Sequence, residues 1–250
     1  MRTIKQTTPS SLTAFKALLR ADFIVQMRQR RAFIASLLVP LVFLFTLKRF
    51  IPVLGPAVVL ATCISIGLPA IGLMGYALVV ARDRELGVFQ RLRTTPCSTW
   101  VIMSSRFAVQ LAVMVGVALV TILVAYYADG IQTDPTRALL VLLAVVICGA
   151  LFLALGQLVV AVFKGSETVN AATRLIYVLV VMGGVIGQSP SSPWHSFVLW
   201  SPLGVSKTII AMALSPGNVS SHGAEAILAS LAYTLVFAGI GIRWFQWTVQ

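Results

Sequence analysis

Long uncharged apolar runs alternate along the chain with short charged or turn-rich stretches, and the run lengths predict helices that cross a membrane. Ala32 to Leu47 carries no formal charge between Arg31 and Lys48. At ~1.5 Å per residue it reaches only roughly 24 Å, short of the ~30 Å hydrocarbon core, so the first predicted span covers 32–50, with Pro40 as a kink site. Phe50 to Ala81 is also uncharged. Pro52, Gly55 and Pro56 predict a turn inside it, followed by a second span over 57–80 that Gly67, Pro69, Gly72 and Gly75 weaken in the middle. The same pattern predicts spans over 100–127, 138–163, 171–188 and 225–242, six in all. Trp100, Tyr126 and Tyr127 suit the two interfaces of the third span.

The remaining stretches divide the chain into a polar N-terminal part, 1–31, and a transmembrane part, 32–250. After a candidate N-cap at Ser10 or Ser11, Leu12, Phe15, Leu19 and Phe23 share one helical face, with Lys16 and Arg20 elsewhere. This predicts an amphipathic helix lying in the interface or leading into the first span. Gly183 and Gly187 form a G-x-x-x-G close-packing face in the fifth span. Beyond it, Ser189-Pro190, Pro193-Trp194 and Trp200-Ser201-Pro202 are unlike a continuous span and predict a partly re-entrant outer segment before the last helix. The tail Arg243 to Trp247 reads as an aromatic anchor. The fold class is therefore an all-α membrane protein.

Composition agrees, since only 10% of the 250 residues are charged and mean hydropathy is +0.95. A soluble domain carries about 25% charged residues. The net charge of +12 has the sign of a nucleic-acid binder, but the cations sit beside apolar runs, so no nucleic-acid partner is expected. With six spans, only Lys48, Arg49, Arg137 and Lys207 of the 19 Lys and Arg fall on the side opposite the termini. That asymmetry predicts both termini in the cytoplasm. Cys63, Cys97 and Cys148 are odd in number and widely spaced, so neither a disulfide framework nor a metal site is expected. His195 and His222 read as solvated outer residues. No cleavable signal peptide is expected, because the first apolar run begins only at Ala32.

One charged island separates the second and third spans, Arg82 to Pro96, with Arg82, Asp83, Arg84, Glu85, Arg91 and Arg93. Read as a helix, Val88, Phe89 and Leu92 form an apolar side while Arg84 and Arg91 form a basic side offered outward, and Pro96 ends it. Its spacing, Glu85-x-Gly87-Val88-x-Gln90-x-Leu92-x-x-Thr95-Pro96, resembles the E-x-G-T-x-E-x-L-x-x-[ST]-P segment of ABC-2 type transporter permeases. Val88 stands where that family has Thr and Gln90 where it has an acid. The resemblance implies a cytoplasmic coupling helix that docks on a separate ABC ATPase subunit, with Arg84, Glu85, Gly87, Val88, Phe89, Leu92, Thr95 and Pro96 as the coupling residues. It also implies a second permease copy or a homologous permease, and a substrate route among paired first, second and fifth spans. Lys48, Arg49, Gly183 and Gly187 are the resulting substrate-path candidates. For Lys48 and Arg49, snorkelling to the outer headgroups and lining a vestibule both stay open.

No G-x-x-x-x-G-K-[ST] loop, H-E-x-x-H or G-x-S-x-G occurs in the sequence. The chain is thus read as no enzyme and as holding no cofactor itself, with ATP and magnesium on the partner ATPase. The expectation is a bacterial inner-membrane permease that exports a drug, antibiotic, small peptide or other amphiphile. A polysaccharide or lipid exporter, and an ATP-independent scaffold or channel, are the alternatives.

Overall fold

The computed structural model describes residues 11–28, 30–93, 99–131, 133–186, 195–215 and 222–244. Among them no strand occurs, and six helical stretches are long and apolar enough to cross a membrane: Phe33–Leu54, Pro56–Glu85, Val101–Asp129, Pro135–Val162, Ser166–Val185 and Gly223–Trp244. The expected all-α architecture with six spans is what the chain adopts. The largest shifts from the expected termini of these spans are three. The first runs on to Leu54, the second to Glu85, and the fifth starts at Ser166.

The helices follow in order. Helix α1 (Ser11–Arg28) precedes α2 (Arg30–Leu47), which continues past Pro40 into a tight turn at Lys48–Phe50 and the short α3 (Ile51–Leu54). Gly55, at φ +82°, ends that span, and Pro56 opens the next at a position where its missing N–H costs nothing. The second span is built from α4 (Pro56–Pro69), a π-helical stretch (Ala70–Tyr76) and α5 (Ala77–Glu85). Pro69 lacks an N–H and crowds the carbonyl four residues back, and the chain absorbs this by widening its turns directly after it. The sequence-predicted weakness in the middle of this span is therefore a change of helix type, without a break.

Past a short α6 (Val88–Arg93) come α7 (Thr99–Asp129), α8 (Pro135–Val162) and α9 (Ser166–Ile186). Two shorter helices, α10 (His195–Leu199) and α11 (Pro202–Leu214), lead to α12 (Gly223–Trp244). The 13 residues of α11 extend only about 20 Å, too short to cross a bilayer. Its Leu203, Val205, Ile209 and Ile210 are nonetheless buried, packed on α4 and α8. Pro190, Pro193 and Trp194 of the expected re-entrant segment lie outside the described residues, as do the start of the chain through Ser10 and the tail beyond Trp244.

The second span forms the centre, with Val59 to Pro69 wholly buried, and α8 lies beside it as the second wall of the core. Two glycines make this closeness possible. A Cβ on Gly156 would collide with the carbonyl oxygen of Gly72, and one on Gly72 would lie 2.7 Å from Met114 Cε and 3.0 Å from the Phe152 backbone. Without a hydrophobic drive between helices in lipid, such backbone approach supplies the dispersion contact that holds them. The Tyr76 hydroxyl donates to Gln157 Oε1 at 2.7 Å across the same seam. Gly156→Val is accordingly expected to lower stability in detergent by about 1–3 kcal/mol or to block folding. Gly116→Ala, where a Cβ meets nothing within 4 Å, is expected to leave the melting temperature unchanged.

Candidate functional site

The charged island is divided by its glycine. Arg82 to Glu85 are the last turn of α5, so the second span's helix, and not a separate surface helix, carries them. The Leu86 N–H donates to the Arg82 carbonyl at 2.9 Å and the Gly87 N–H to the Arg84 carbonyl at 3.2 Å. Gly87 then turns left-handed at φ +66°, the conformation in which a side chain would be strained, and the helix ends. Its own carbonyl accepts from the Arg91 N–H at 3.2 Å, which starts α6. The rigid end of a buried span thus passes directly into a short helix at the surface of the bundle.

Arg84 and Glu85 reach in opposite senses across one loop. Arg84 is 3% exposed, and its Nη1 and Nη2 donate to the carbonyls of Val160 and Phe163, each at 2.9 Å, at the C-terminal end of α8. Oε1 of Glu85 accepts from the Ser166 N–H at 2.6 Å, the first amide of α9. A guanidinium thereby sits at the negative end of one helix and a carboxylate at the positive end of the next. Between them the chain has only Phe163 to Gly165, with Gly165 at φ +82° making the turn. The expected basic side of the island is corrected here: Arg84 is turned inward because the carbonyls that α8 leaves without helical partners need its donors. Ser166 is the first residue of α9, and Glu85 serves its N–H from another span.

Phe89 is 1% exposed, with Arg106 Cζ 4.8 Å above its ring. Arg106 Nη1 lies 2.5 Å from Asp83 Oδ2, a close ionic contact without hydrogen-bond alignment. This ties α6 to α5 and α7. From α1, Asp22 joins the group by accepting from the Ser105 hydroxyl at 2.8 Å. Burial pushes the Asp22 carboxyl above the usual carboxylate range, against the lowering effects of the Ser105 hydrogen bond and the Arg106 charge. Val88 faces the cavity between these elements. Thr95 and Pro96 lie outside the described residues, and α6 is described for its backbone at Leu92.

At the opposite end of the bundle, Lys48 and Arg49 line a cavity of about 780 Å³ together with Phe45 and Asp129. Lys48 Nζ lies 3.6 Å from Asp129 Oδ1 and 5.3 Å from the centre of the Phe45 ring. The Asp129 side chain is 4% exposed and its Oδ2 has no hydrogen bond. Lys48 therefore balances a buried carboxylate, which neither of the two sequence readings anticipated. Gly183 meets nothing of its own chain within 4 Å, whereas a Cβ on Gly184 would run into Leu203. Within the described part of the fifth span the close-packing glycine is thus Gly184; Gly187 lies outside the described residues.

The sequence reading missed Asp22, Ser105 and Asp129. Asp129 was visible as an acid closing an apolar run, but the partner of each depends on which helices meet. Two variants check the loop-spanning pair. Arg84→Met is expected to cost about 1–3 kcal/mol by stranding two carbonyls. It should also speed amide hydrogen exchange over 160–169, read by mass spectrometry. Glu85→Ala is expected to speed exchange at the start of α9 while leaving α8 protected.

A family model for ABC-2 type transporters matches residues 13–208, which takes in α1, the charged island and the first five spans. No curated protein matches the chain. A six-span helical bundle, an E-x-G segment ending its second span and a match over most of its length together mean that this chain belongs to the ABC-2 type transporter family, as a membrane permease.

Proposed function

We infer that the chain is the membrane half of an ATP-driven exporter, working as two copies or beside a related permease. Two separate ABC ATPase subunits would dock on Arg82 to Pro96. ATP and magnesium belong to those subunits. The observation that carries the reading is the pair Arg84 and Glu85, which joins the docking segment to both ends of the loop between the fourth and fifth spans. A load applied to α6 passes through Gly87 into α5 and, through this pair, into α8 and α9. Three spans then respond to one contact.

In this reading the basic end of the bundle faces the cytoplasm of a bacterial cell and both termini lie there. ATP binding closes the ATPase pair, the segment around α6 swings, and a route between paired first, second and fifth spans opens outward. The cavity at Lys48 and Arg49 would lie at the outer mouth. The cargo is a drug, antibiotic, small peptide or other amphiphile; a polysaccharide or lipid is the other cargo class.

The test is purification in mild detergent. An ABC ATPase is expected to co-purify with the wild type and to be lost from Glu85→Lys. Gly87→Pro is expected to abolish transport while membrane insertion persists. Recovery of the chain alone, under conditions that keep a known ABC complex together, would instead favour a scaffold or channel.

A further inference from the structure

A cavity of about 370 Å³ lies where α1, α5, α6 and α7 meet, and none of the coupling or route assignments above accounts for it. Its size falls within the range of small-ligand pockets, about 300–1,000 Å³. Most of its wall is aliphatic, supplied by Leu18, Val25, Val80 and Val109 among others. Its polar groups are Asp22, Asp83, Arg106, Gln26 and Gln110.

These groups do not balance. Asp22 and Asp83 bring two carboxylates to one guanidinium, that of Arg106, which lies in contact with Asp83 and over the Phe89 ring. Asp22 receives the Ser105 hydroxyl and otherwise shares the field of Arg106. In a chain of net charge +12 with only seven acids, this pocket gathers two carboxyl groups around one guanidinium. A second, independent shortage lies deeper. Gln110 is 5% exposed, lines the cavity, and its Oε1 has no hydrogen-bond partner. A buried acceptor without a donor costs about 1–3 kcal/mol. The surplus carboxyl group calls for a cation and Gln110 Oε1 for a donor, Arg106 Nη1 being held against Asp83; one ammonium group answers both, and the aliphatic walls ask for an apolar body attached to it.

We propose that this cavity binds an amphipathic organic ammonium ion, its N–H groups directed to Asp22 and Gln110 and its apolar part held between α1 and α5. The ammonium can belong to a free amphiphilic amine or to the ethanolamine headgroup of a phospholipid. The inference requires only the folded permease in a bilayer and stands apart from the ATPase coupling proposed above, so failure of either leaves the other intact.

The experiment uses the full chain in phosphatidylcholine nanodiscs, whose quaternary headgroups have no N–H to donate, with dansylcadaverine as a fluorescent primary ammonium. Saturable binding is expected for the wild type. Dansylamide, which has the same fluorophore and no charge, is expected to bind at least about tenfold more weakly. Asp22→Asn should weaken dansylcadaverine by about tenfold and Asp22→Glu should restore it. Ala21→Phe, which fills the cavity without altering charge, should remove binding while Tyr76 and Gln157 still hold the core, as read by an unchanged melting temperature. If phosphatidylethanolamine in the nanodisc displaces the probe, the site takes the lipid headgroup; if it does not, the site takes a free amine. Equal binding of the neutral probe, or undiminished binding by both Asp22→Asn and Ala21→Phe, would overturn the proposal.

Discussion

A helix end packed against protein has little water to draw on, and the arrangement of this permease follows from where its chain finds substitutes. Four carbonyls at the close of each helix and four amides at the start of the next have no partners within the helix. Where α8 gives way to α9 the turn is too short to satisfy them itself. Arg84 and Glu85, adjacent in sequence, supply a donor to one side and an acceptor to the other. The solution places two opposite charges at the end of the second span and binds that span to the next two. A requirement of solvation thereby becomes a mechanical connection.

The core around it is arranged by closeness more than by apolar bulk. The second span and α8 touch through Gly72 and Gly156, and the polar pair beside them, Tyr76 and Gln157, is satisfied within the seam. Apart from Lys207 in α11, the charges of the described helices gather towards the two ends of the bundle. There they occur in sets: Asp22, Asp83 and Arg106 at one end, Lys48 and Asp129 at the other. A buried charge left alone at these depths would be expensive, so each set draws its members from different helices and thereby fixes how those helices meet.

Much of this could be read from the sequence. Uncharged run length located six spans, because a bilayer imposes a minimum on it. Pro56 and Gly55 marked the turn between the first two, because their backbone constraints are local, whereas the break at Gly87 was read through as one helix. Other features were out of reach. Periodicity placed Arg84 on a solvated face, since nothing in a linear pattern reveals that the end of another helix lies alongside it. The extension of the second span to Glu85 was hidden for the same reason: charged residues ordinarily end a span, and here their partners come from α7, α8 and α9. The burial of α11 rests on contacts with α4 and α8 that its sequence separation conceals.

The widened stretch at Ala70–Tyr76 gives the second span a particular phase. A π-helical turn is equivalent to a residue inserted into an α-helix, and an α-helix advances about 100° with each residue. The half of the span below it is therefore rotated relative to the half above, like two segments of a shaft joined out of step. Gly67 faces Pro40 of the first span, while farther along Tyr76 and Arg84 face the fourth. One continuous rod thereby addresses different neighbours at its two ends. Its phase is set by residue count as well as by residue type, so losing a single residue from this stretch would turn one end away from its partners even if every remaining side chain were kept.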